Sequence, residues 1–172
     1  MNLQLFNLSL PHLQSLVAGE SQILDFTVTA ESVPDFLVTA AVRDLENGLE
    51  PIWYSPILYV SSKDRIAVGS AAFKGSPRNG RVEVGYGIIP EYQGQGFATK
   101  GLQLVTALAL AQDDVSEVYA ENSVTNPASG RVLAKAGFVH IGTRESEEDG
   151  TVDCWLLGAA AAMAGVRALA GM

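Results

Sequence analysis

The sequence predicts an α/β fold, more closely α+β, in which a mixed and mostly antiparallel sheet of seven strands is flanked by about four helices. Three apolar stretches in the middle of the chain are separated by turn sequences, and Asn79-Gly80 is a strong signal for a hairpin between the second and the third. From Phe97 onward the apolar residues recur at helical spacing instead. A helix in that position connects the third of these strands to a fourth strand that runs parallel to it.

Local signals place the elements in the order β-α-α-β-β-β-α-β-α-β-β. Ser9, Ser32 and Asn126 are suitable N-caps, and a proline follows each of them within the first helical turn. The predicted strands span residues 3–8, 57–60, 65–73, 81–89, 117–121, 138–143 and 151–157. The predicted helices span residues 9–19, 32–47, 97–111 and 126–137.

One domain is expected over residues 1–158, because a chain of 172 residues suits a single core. The Ala-rich tail over residues 159–172 is expected to be a frayed extension or a short helix. Apolar residues recur at helical spacing at the start of the second helix, namely Phe36, Leu37, Ala40 and Ala41.

Composition limits the classes of partner. Lys and Arg number 11 and Asp and Glu number 19, so the net charge is −8, and no nucleic acid is expected as a partner because phosphate backbones require clustered basic residues. The single cysteine, Cys154, excludes an intrachain disulfide, and no Cys and His spacing matches a zinc site, so no metal is expected. The sequence shows neither a signal peptide nor a bilayer-spanning run, which predicts a cytoplasmic protein without a membrane partner.

One segment in the middle of the chain, residues 82–100, predicts an anion-binding site. It consists of a strand, a glycine-rich loop and the start of a long helix. Gly85 and Gly87 share one face of the strand with Glu83, which leaves the backbone open to an approaching group. The loop over residues 93–98 then offers consecutive N–H groups at a helix start, and this arrangement suits a diphosphate.

Two nucleotide-binding motifs fail in this loop. The Rossmann fingerprint requires a third glycine where Thr99 stands, and the P-loop requires a glycine before its lysine, whereas Thr99 precedes Lys100. A nicotinamide-dependent oxidoreductase is therefore disfavoured. The pattern Gln93-x-x-Gly96-x-Ala98 resembles instead the acetyl-CoA loop of the GNAT superfamily of N-acetyltransferases.

A second motif, Asn-Pro-Ala-Ser-Gly-Arg-Val-Leu-Ala-Lys-Ala-Gly-Phe over residues 126–138, resembles a later motif of the same superfamily. The residue pattern of this motif is typical of the branch that includes ribosomal-protein N-terminal acetyltransferases. The predicted element order also resembles the GNAT acyl-CoA N-acyltransferase fold. The resemblance covers roughly residues 65–157 and is weak over residues 1–60, where the acceptor site is usually built, so it supports the donor better than the acceptor.

The resemblance implies a set of donor contacts. The backbone of Ile88 and Ile89 would pair with the pantetheine arm, and an N–H group there would polarise the thioester carbonyl. Asn126 would contact the pantetheine arm, and Arg131 or Lys135 would meet phosphate charge unless both belong to a solvated helix face. The residues of the diphosphate loop would be Gln93, Gly94, Gln95, Gly96, Phe97, Ala98 and Thr99.

The resemblance also implies direct attack of an amine on the thioester. The amine must be neutral, and the reference pKa of a lysine amine is about 10.4, so a general base is useful. Glu83 and Glu121 are the candidates, although either could pair with a cation or face solvent, and a water chain could serve instead. Many members protonate the leaving thiolate with a tyrosine where this chain has Leu133, and Ser129 could donate a hydrogen bond in its place. A thiolate whose conjugate pKa is about 8.5 also leaves tolerably without an acid.

The leading hypothesis is an N-acetyltransferase that moves an acetyl group from acetyl-CoA to a primary amine. A protein N-terminus or a lysine is favoured as the acceptor, and small amines remain open because the fold does not fix the acceptor. The alternative is a non-catalytic acyl-CoA-binding or sensing module. The resemblance leaves a homodimer open. Four aromatic residues are assigned to packing, with the lining of an acceptor pocket as the alternative, namely Trp53, Tyr54, Tyr59 and Tyr92.

Overall fold

The computed structural model describes residues 1–158, so the predicted tail lies outside the described residues. The elements are β1 (Leu3–Asn7), α1 (Leu10–Val17), β2 (Gln22–Ile23), β3 (Phe26–Thr27), α2 (Asp35–Glu46), α3 (Pro51–Tyr54), β4 (Ile57–Ser61), β5 (Ile66–Phe73), β6 (Arg81–Ile88), a 3-10 turn (Pro90–Tyr92), α4 (Phe97–Leu110), β7 (Glu117–Ser123), α5 (Pro127–Lys135), β8 (Val139–Ser146) and β9 (Gly150–Gly158). This arrangement confirms the predicted mixed fold. The unpredicted elements β2, β3, α3 and the 3-10 turn have four residues or fewer, too few to display a periodicity.

The described residues form two compact units. The first unit contains residues 1–76 and 85–101, and the second contains residues 77–84 and 102–158. Strand β6 is divided between them after Val84.

In the first unit, β1 pairs antiparallel with β4, and β4 pairs antiparallel with β5. The short strand β3 pairs with β2 and meets β5 in parallel. Helices α1 and α2 contact each other, and their apolar sides contribute Leu13, Val38 and Ala41 to a buried cluster with Leu8 and Leu58. Burial of these side chains is the main favourable term that holds the unit together.

The helical spacing of Phe36, Leu37, Ala40 and Ala41 does not mark the buried side of α2. Phe36 is 71% exposed, while Val38 and Ala41 are 4% and 1% exposed and form the buried side of α2. Leu37 is half-buried. A short apolar pattern in the first turn of a helix does not fix the rotation of that helix about its axis, and here packing against α1 decides it.

In the second unit, β6 pairs in parallel with β7, from Arg81 opposite Glu117 to Glu83 opposite Tyr119. Strand β9 pairs antiparallel with both β7 and β8, and α5 packs against β7 and β8. The parallel step between the strands before and after α4 is thus confirmed. So is the start of α5, where the N-cap Asn126 accepts a hydrogen bond through its side chain.

The predicted hairpin turn before β6 is also confirmed. Asn79 and Gly80 have φ values of 51° and 79°. The backbones of Arg78 and Arg81 exchange two hydrogen bonds of 2.9 and 3.0 Å around them. A two-residue turn with positive φ at both central positions favours Asn-Gly, because these residues tolerate the left-handed region.

Tyr59 on β4 supplies a stability prediction. Its side chain is fully buried, and its hydroxyl has no hydrogen-bond partner among residues 1–158. A buried polar group without a partner costs about 1–3 kcal/mol. We therefore expect Tyr59→Phe to raise the free energy of unfolding by about 1 kcal/mol, as measured by urea denaturation.

The same substitution is expected to change how the free energy of unfolding depends on pH in alkaline solution. Burial, and then the neighbouring Tyr86, raise the pKa of Tyr59 above its usual value. The stability linked to the neutral phenol is complete below the unfolded-state pKa of about 10 and is lost as the pH rises above it, since the unfolded chain releases this proton first. The unsubstituted protein should lose stability above pH 10 more steeply than Tyr59→Phe, and parallel curves would contradict this account.

Gly101 in α4 allows the helix to lie against the ring of Tyr59. A Cβ atom at residue 101 would lie 2.5 and 2.6 Å from Cε2 and Cζ of that ring. We expect Gly101→Ala to lower the free energy of unfolding by about 2 kcal/mol, because the overlap outweighs the gain in helix propensity. Tyr59→Leu in the same chain should relieve the overlap, and additive effects of the two changes in a double-mutant cycle would contradict the contact.

Candidate active site

The glycine-rich end of β6 presents an open backbone. A Cβ atom at Gly85 or at Gly87 would meet no atom within 4 Å, and neither residue has a left-handed φ. On the neighbouring strand β5, by contrast, a Cβ at Gly69 would collide with the carbonyl oxygen of Gly87 and lie 2.9 Å from Cα of Ile88. Gly69 thus allows the two strands to approach closely, while Gly85 and Gly87 keep one surface of the strand free.

A cavity of about 550 Å³ lies beside these glycines in the first unit. It is bounded by the start of α2, the end of β5 and residues 85–88 of β6. Its volume is within the range of small-molecule sites. The exposed ring of Phe36 is part of its wall. Trp53 and Tyr59, considered above as pocket residues, are 4% and 0% exposed and belong to the core.

The predicted diphosphate loop follows β6 and the 3-10 turn. Gly94 and Gly96 have φ values of 71° and 88°, in the left-handed region that favours glycine. Helix α4 begins at Phe97, and the first N–H groups of a helix have no intrahelical partner. Its first turn therefore directs backbone donors and the positive end of the helix dipole toward the loop, which suits a phosphate group.

Two glutamines fix this loop. The side-chain amide of Gln93 donates to the carbonyl of Ile88 at 3.0 Å, and that of Gln95 donates to the carbonyl of Glu91 at 2.9 Å. The side-chain NH₂ groups of both glutamines thus bond within the protein. The sequence predicts that these two residues contact acetyl-CoA. They hold the loop in the conformation that exposes its amides.

The backbone of Ile89 is committed to the protein. Its N–H donates to the carbonyl of Val68 on β5 at 2.9 Å, and its carbonyl accepts from the N–H of Tyr92 at 3.0 Å. Both bonds arise because Ile89 lies where the strand ends and the 3-10 turn begins. The carbonyl of Ile88 is hydrogen-bonded as well, since it accepts from the side chain of Gln93. A carbonyl oxygen can accept a second hydrogen bond, so the pairing of Ile88 and Ile89 with a pantetheine arm stays a prediction.

In the second unit, the candidate base Glu121 is ion-paired. Its Oε1 accepts hydrogen bonds from the hydroxyl of Tyr119 at 2.5 Å and from Nε of Arg144 at 2.6 Å, and its Oε2 accepts from Nη2 of Arg144 at 2.8 Å. The hydrogen bond to Glu121 raises the pKa of Arg144, and burial, followed by hydrogen bonds to Cys154 and Glu121, raises that of Tyr119. A charged guanidinium and a phenol hydroxyl thus both donate to the carboxylate of Glu121.

The other candidate base, Glu83, is half-buried on β6 and lies opposite Tyr119 in the register with β7. The two candidate glutamates therefore lie on neighbouring parallel strands, Glu83 on β6 and Glu121 on β7. Arg144, the partner of Glu121, lies on β8.

Asn126 acts as the N-cap of α5. Its Oδ1 accepts from the N–H of Ser129 at 3.3 Å, and its carbonyl accepts from Nδ2 of Asn122 at 3.2 Å. Asn122 is 7% exposed, and its Oδ1 accepts from the indole N–H of Trp155 at 2.7 Å. This network fixes the start of α5. Arg131 and Lys135 are exposed, and Leu133 is fully buried.

Sequence reasoning missed Phe36, Arg144, Asn122 and Trp155. A tryptophan and an asparagine separated by 33 residues give no local signal of their hydrogen bond. Within residues 1–158, His, Cys, Asp and Glu side chains do not gather in groups of three or more that could hold a metal ion. None of the helices in that range combines the length and the hydropathy that a bilayer span requires.

Comparison with known proteins gives the family. A family model described as the GNAT acetyltransferase domain matches residues 25–139, which is more than half of the chain. The chain therefore belongs to the GNAT acetyltransferase family. Both resembling motifs start within the matched range.

The chain is also similar to individual family members. It is 33% identical over 66 residues to FsC-acetyl coenzyme A-N(2)-transacetylase of Aspergillus fumigatus, a match that covers 38% of this chain and 28% of that enzyme. This enzyme is one of three curated relatives that the chain matches. The matches cover 28%, 41% and 44% of the relatives' own length, which is less than half in each case.

Solved structures share the fold over nearly the whole chain. A chimera of the spermidine N-acetyltransferase SpeG from Vibrio cholerae and hSSAT has a TM-score of 0.68 at 16% identity, and the match covers 94% of this chain and 98% of that one. The aminoglycoside acetyltransferase AAC(6')-Ib, in complex with coenzyme A and kanamycin, has a TM-score of 0.64 at 15% identity over 93% of this chain and 96% of that one. At this identity the likeness concerns the fold.

Proposed function

We propose that the protein is an N-acetyltransferase that transfers an acetyl group from acetyl-CoA to a primary amine by direct attack in a ternary complex. The observation that carries this proposal is the loop with two left-handed glycines, Gly94 and Gly96, which leads from the open end of β6 into the start of α4. Membership of the GNAT family supports it.

In this proposal the backbone N–H groups from Gly94 to Thr99 hold the diphosphate of acetyl-CoA. Gln93 and Gln95 keep those amides exposed through their bonds to Ile88 and Glu91. Ile88 contacts the pantetheine arm through its backbone. On α5, Asn126 contacts the same arm, and Arg131 meets phosphate charge as an exposed cation on an acidic protein.

Glu83 is the general base in this proposal. Strand alternation gives it the face of Gly85 and Gly87, on the strand that leads to the donor loop. The neutral amine attacks the thioester carbonyl carbon, the C–S bond breaks, and the amine proton passes to Glu83 directly or through water. The CoA thiolate leaves, and Ser129 donates a hydrogen bond to it.

A protein N-terminus or a lysine is the favoured acceptor, with a small amine as the alternative. The resemblance of residues 126–138 to the branch of ribosomal-protein N-terminal acetyltransferases supports the first choice. Cytoplasmic location and a single domain over residues 1–158 stay predictions from the sequence.

Calorimetric titration with acetyl-CoA tests the donor site, with NAD and NADPH as controls. Saturable binding of acetyl-CoA alone is expected. Thiol release with a panel of amines then tests the chemistry. Binding without turnover of any amine would favour a binding or sensing module, and the absence of acyl-CoA binding would overturn the proposal.

A further inference from the structure

We infer that the acceptor is a monoamine with an apolar or aromatic group next to its amine, and that the cavity beside Gly85 and Gly87 holds this group. The inference rests on the proposed acetyl transfer and specifies its acceptor. Four features of the cavity carry it, namely the open glycine surface, the apolar wall, the exposed ring of Phe36 and the balance of charge.

The open surface gives the acceptor room next to the strand that leads to the donor loop. A Cβ at Gly85 or Gly87 would meet no atom within 4 Å, so this part of the cavity has no side chains of its own. The same strand ends at Ile88, whose carbonyl accepts from Gln93 of the donor loop. An acceptor seated on the glycines therefore lies beside the segment proposed to hold the thioester end of acetyl-CoA.

The wall of the cavity is largely apolar. It includes Pro34 and Leu37 from the start of α2 and Phe73 from β5, and residues 85–88 of β6 complete it. Desolvation of an apolar substituent against such side chains is favourable in proportion to the area that it buries. The cavity volume of about 550 Å³ exceeds that needed for one aromatic side chain and its amine.

The aromatic ring of Phe36 is not part of the buried core. It is 71% exposed, while Val38 and Ala41 already attach α2 to the core. A single exposed apolar residue is normal on a protein surface, but Phe36 lines the cavity, so a ligand bound there would contact it. An aromatic or aliphatic acceptor group that covers this ring would remove apolar surface of both partners from water.

The charges of the cavity argue against a polyamine or an aminoglycoside. Among the described residues that line it, Glu31 is the one acidic side chain and Lys74 is the one basic side chain. Each ammonium group that leaves water requires a compensating carboxylate, so a molecule with several ammonium groups lacks enough partners here. The net charge of −8 attracts every cationic amine from a distance and does not select among them.

Two sources share the chemistry that we infer. One is the amino terminus of a peptide that begins with an aromatic or branched apolar residue, and the other is a free arylalkylamine. In both, a single amine stands a few bonds from an apolar group. The experiment therefore compares phenylalanyl-alanine amide with 2-phenylethylamine, and both with spermidine and kanamycin.

Binding of each amine to the CoA-loaded protein is measured by calorimetry at about 0.15 M salt, which screens the general attraction. Thiol release at saturating acetyl-CoA then gives kcat and KM. We expect one or both aromatic monoamines to bind at least about 10-fold more tightly than spermidine or kanamycin, the range expected for burial of one aromatic group. The stronger of the two identifies the source.

Phe36→Ala is expected to raise the Kd and KM of the aromatic amine about 10-fold and to leave kcat and the Kd of acetyl-CoA unchanged. Val17→Ala is the matched control, because Val17 is a 60% exposed helical residue that lines a different cavity. It should change none of these constants. Since Phe36 is exposed, the fold should tolerate its replacement.

Tighter binding of spermidine or kanamycin, or an unchanged Kd for the aromatic amine in Phe36→Ala, would overturn the inference and leave acetyl transfer intact. Loss of acetyl-CoA binding in the unsubstituted protein would instead overturn the proposed function. The binding experiment decides the acceptor class even if turnover is slow.

Discussion

Replacement of Gly94 by glutamate (Gly94→Glu) is expected to weaken acetyl-CoA binding by roughly 100-fold. The new carboxylate would lie in the loop that we propose holds the diphosphate. Two like unit charges about 5 Å apart at an effective dielectric constant of about 20 repel by about 3 kcal/mol, which corresponds to this loss. A Cβ at this position meets no atom within 4 Å, so collision within the protein does not contribute. Calorimetric titration measures the Kd.

Gly48→Glu is the matched control for this prediction. Gly48 follows α2 and has a φ of 81°, close to the 71° of Gly94, and its Cβ would also point into open space. Both variants therefore gain the same charge and the same left-handed strain, and both should lose about 1 kcal/mol of stability. The Kd of Gly48→Glu should stay within about 2-fold of the unsubstituted value. Equal weakening in the two variants would reject the loop as the diphosphate site.

Glu83→Gln is expected to lower kcat about 100-fold while the Kd of acetyl-CoA remains unchanged, because the amide keeps the shape of the side chain and cannot accept the amine proton. The kcat is measured by thiol release with saturating amine. The Kd is measured separately by calorimetry. A variant with normal kcat would exclude Glu83 as the base.

Glu121→Gln provides the comparison. It removes the negative charge opposite Arg144 and keeps the shape of the side chain. We expect kcat to fall by less than about 10-fold, below the usual effect of a missing general base. A selective loss of turnover in this variant would assign the base to Glu121. Normal turnover in both variants would point to water as the proton acceptor.

The features that the sequence predicted correctly depend on neighbouring residues. Asn79-Gly80 forms a hairpin turn because both residues tolerate positive φ, and Asn126 caps α5 because its side chain reaches the N–H of Ser129 within the same turn. These outcomes follow from local chemistry and do not require knowledge of the packed structure.

The features that the sequence did not predict depend on contacts between distant segments. Phe36 is exposed because the packing of α2 sets the helix rotation, which a short apolar pattern leaves undetermined. Glu121 on β7 is ion-paired with Arg144 on β8, which lies 23 residues later in the chain. Both strands pair with β9, and this pairing places the two side chains within reach of each other.

The glycines of the site differ in how freely they can be redesigned. Gly69 cannot gain a methyl group unless β6 moves, and Gly94 and Gly96 have dihedral angles that other residues adopt only under strain. Gly85 and Gly87 have neither restriction. Saturation libraries at these two positions would therefore vary the size and polarity of the cavity on an unchanged backbone. A protein engineer who wants a new acceptor range could start there.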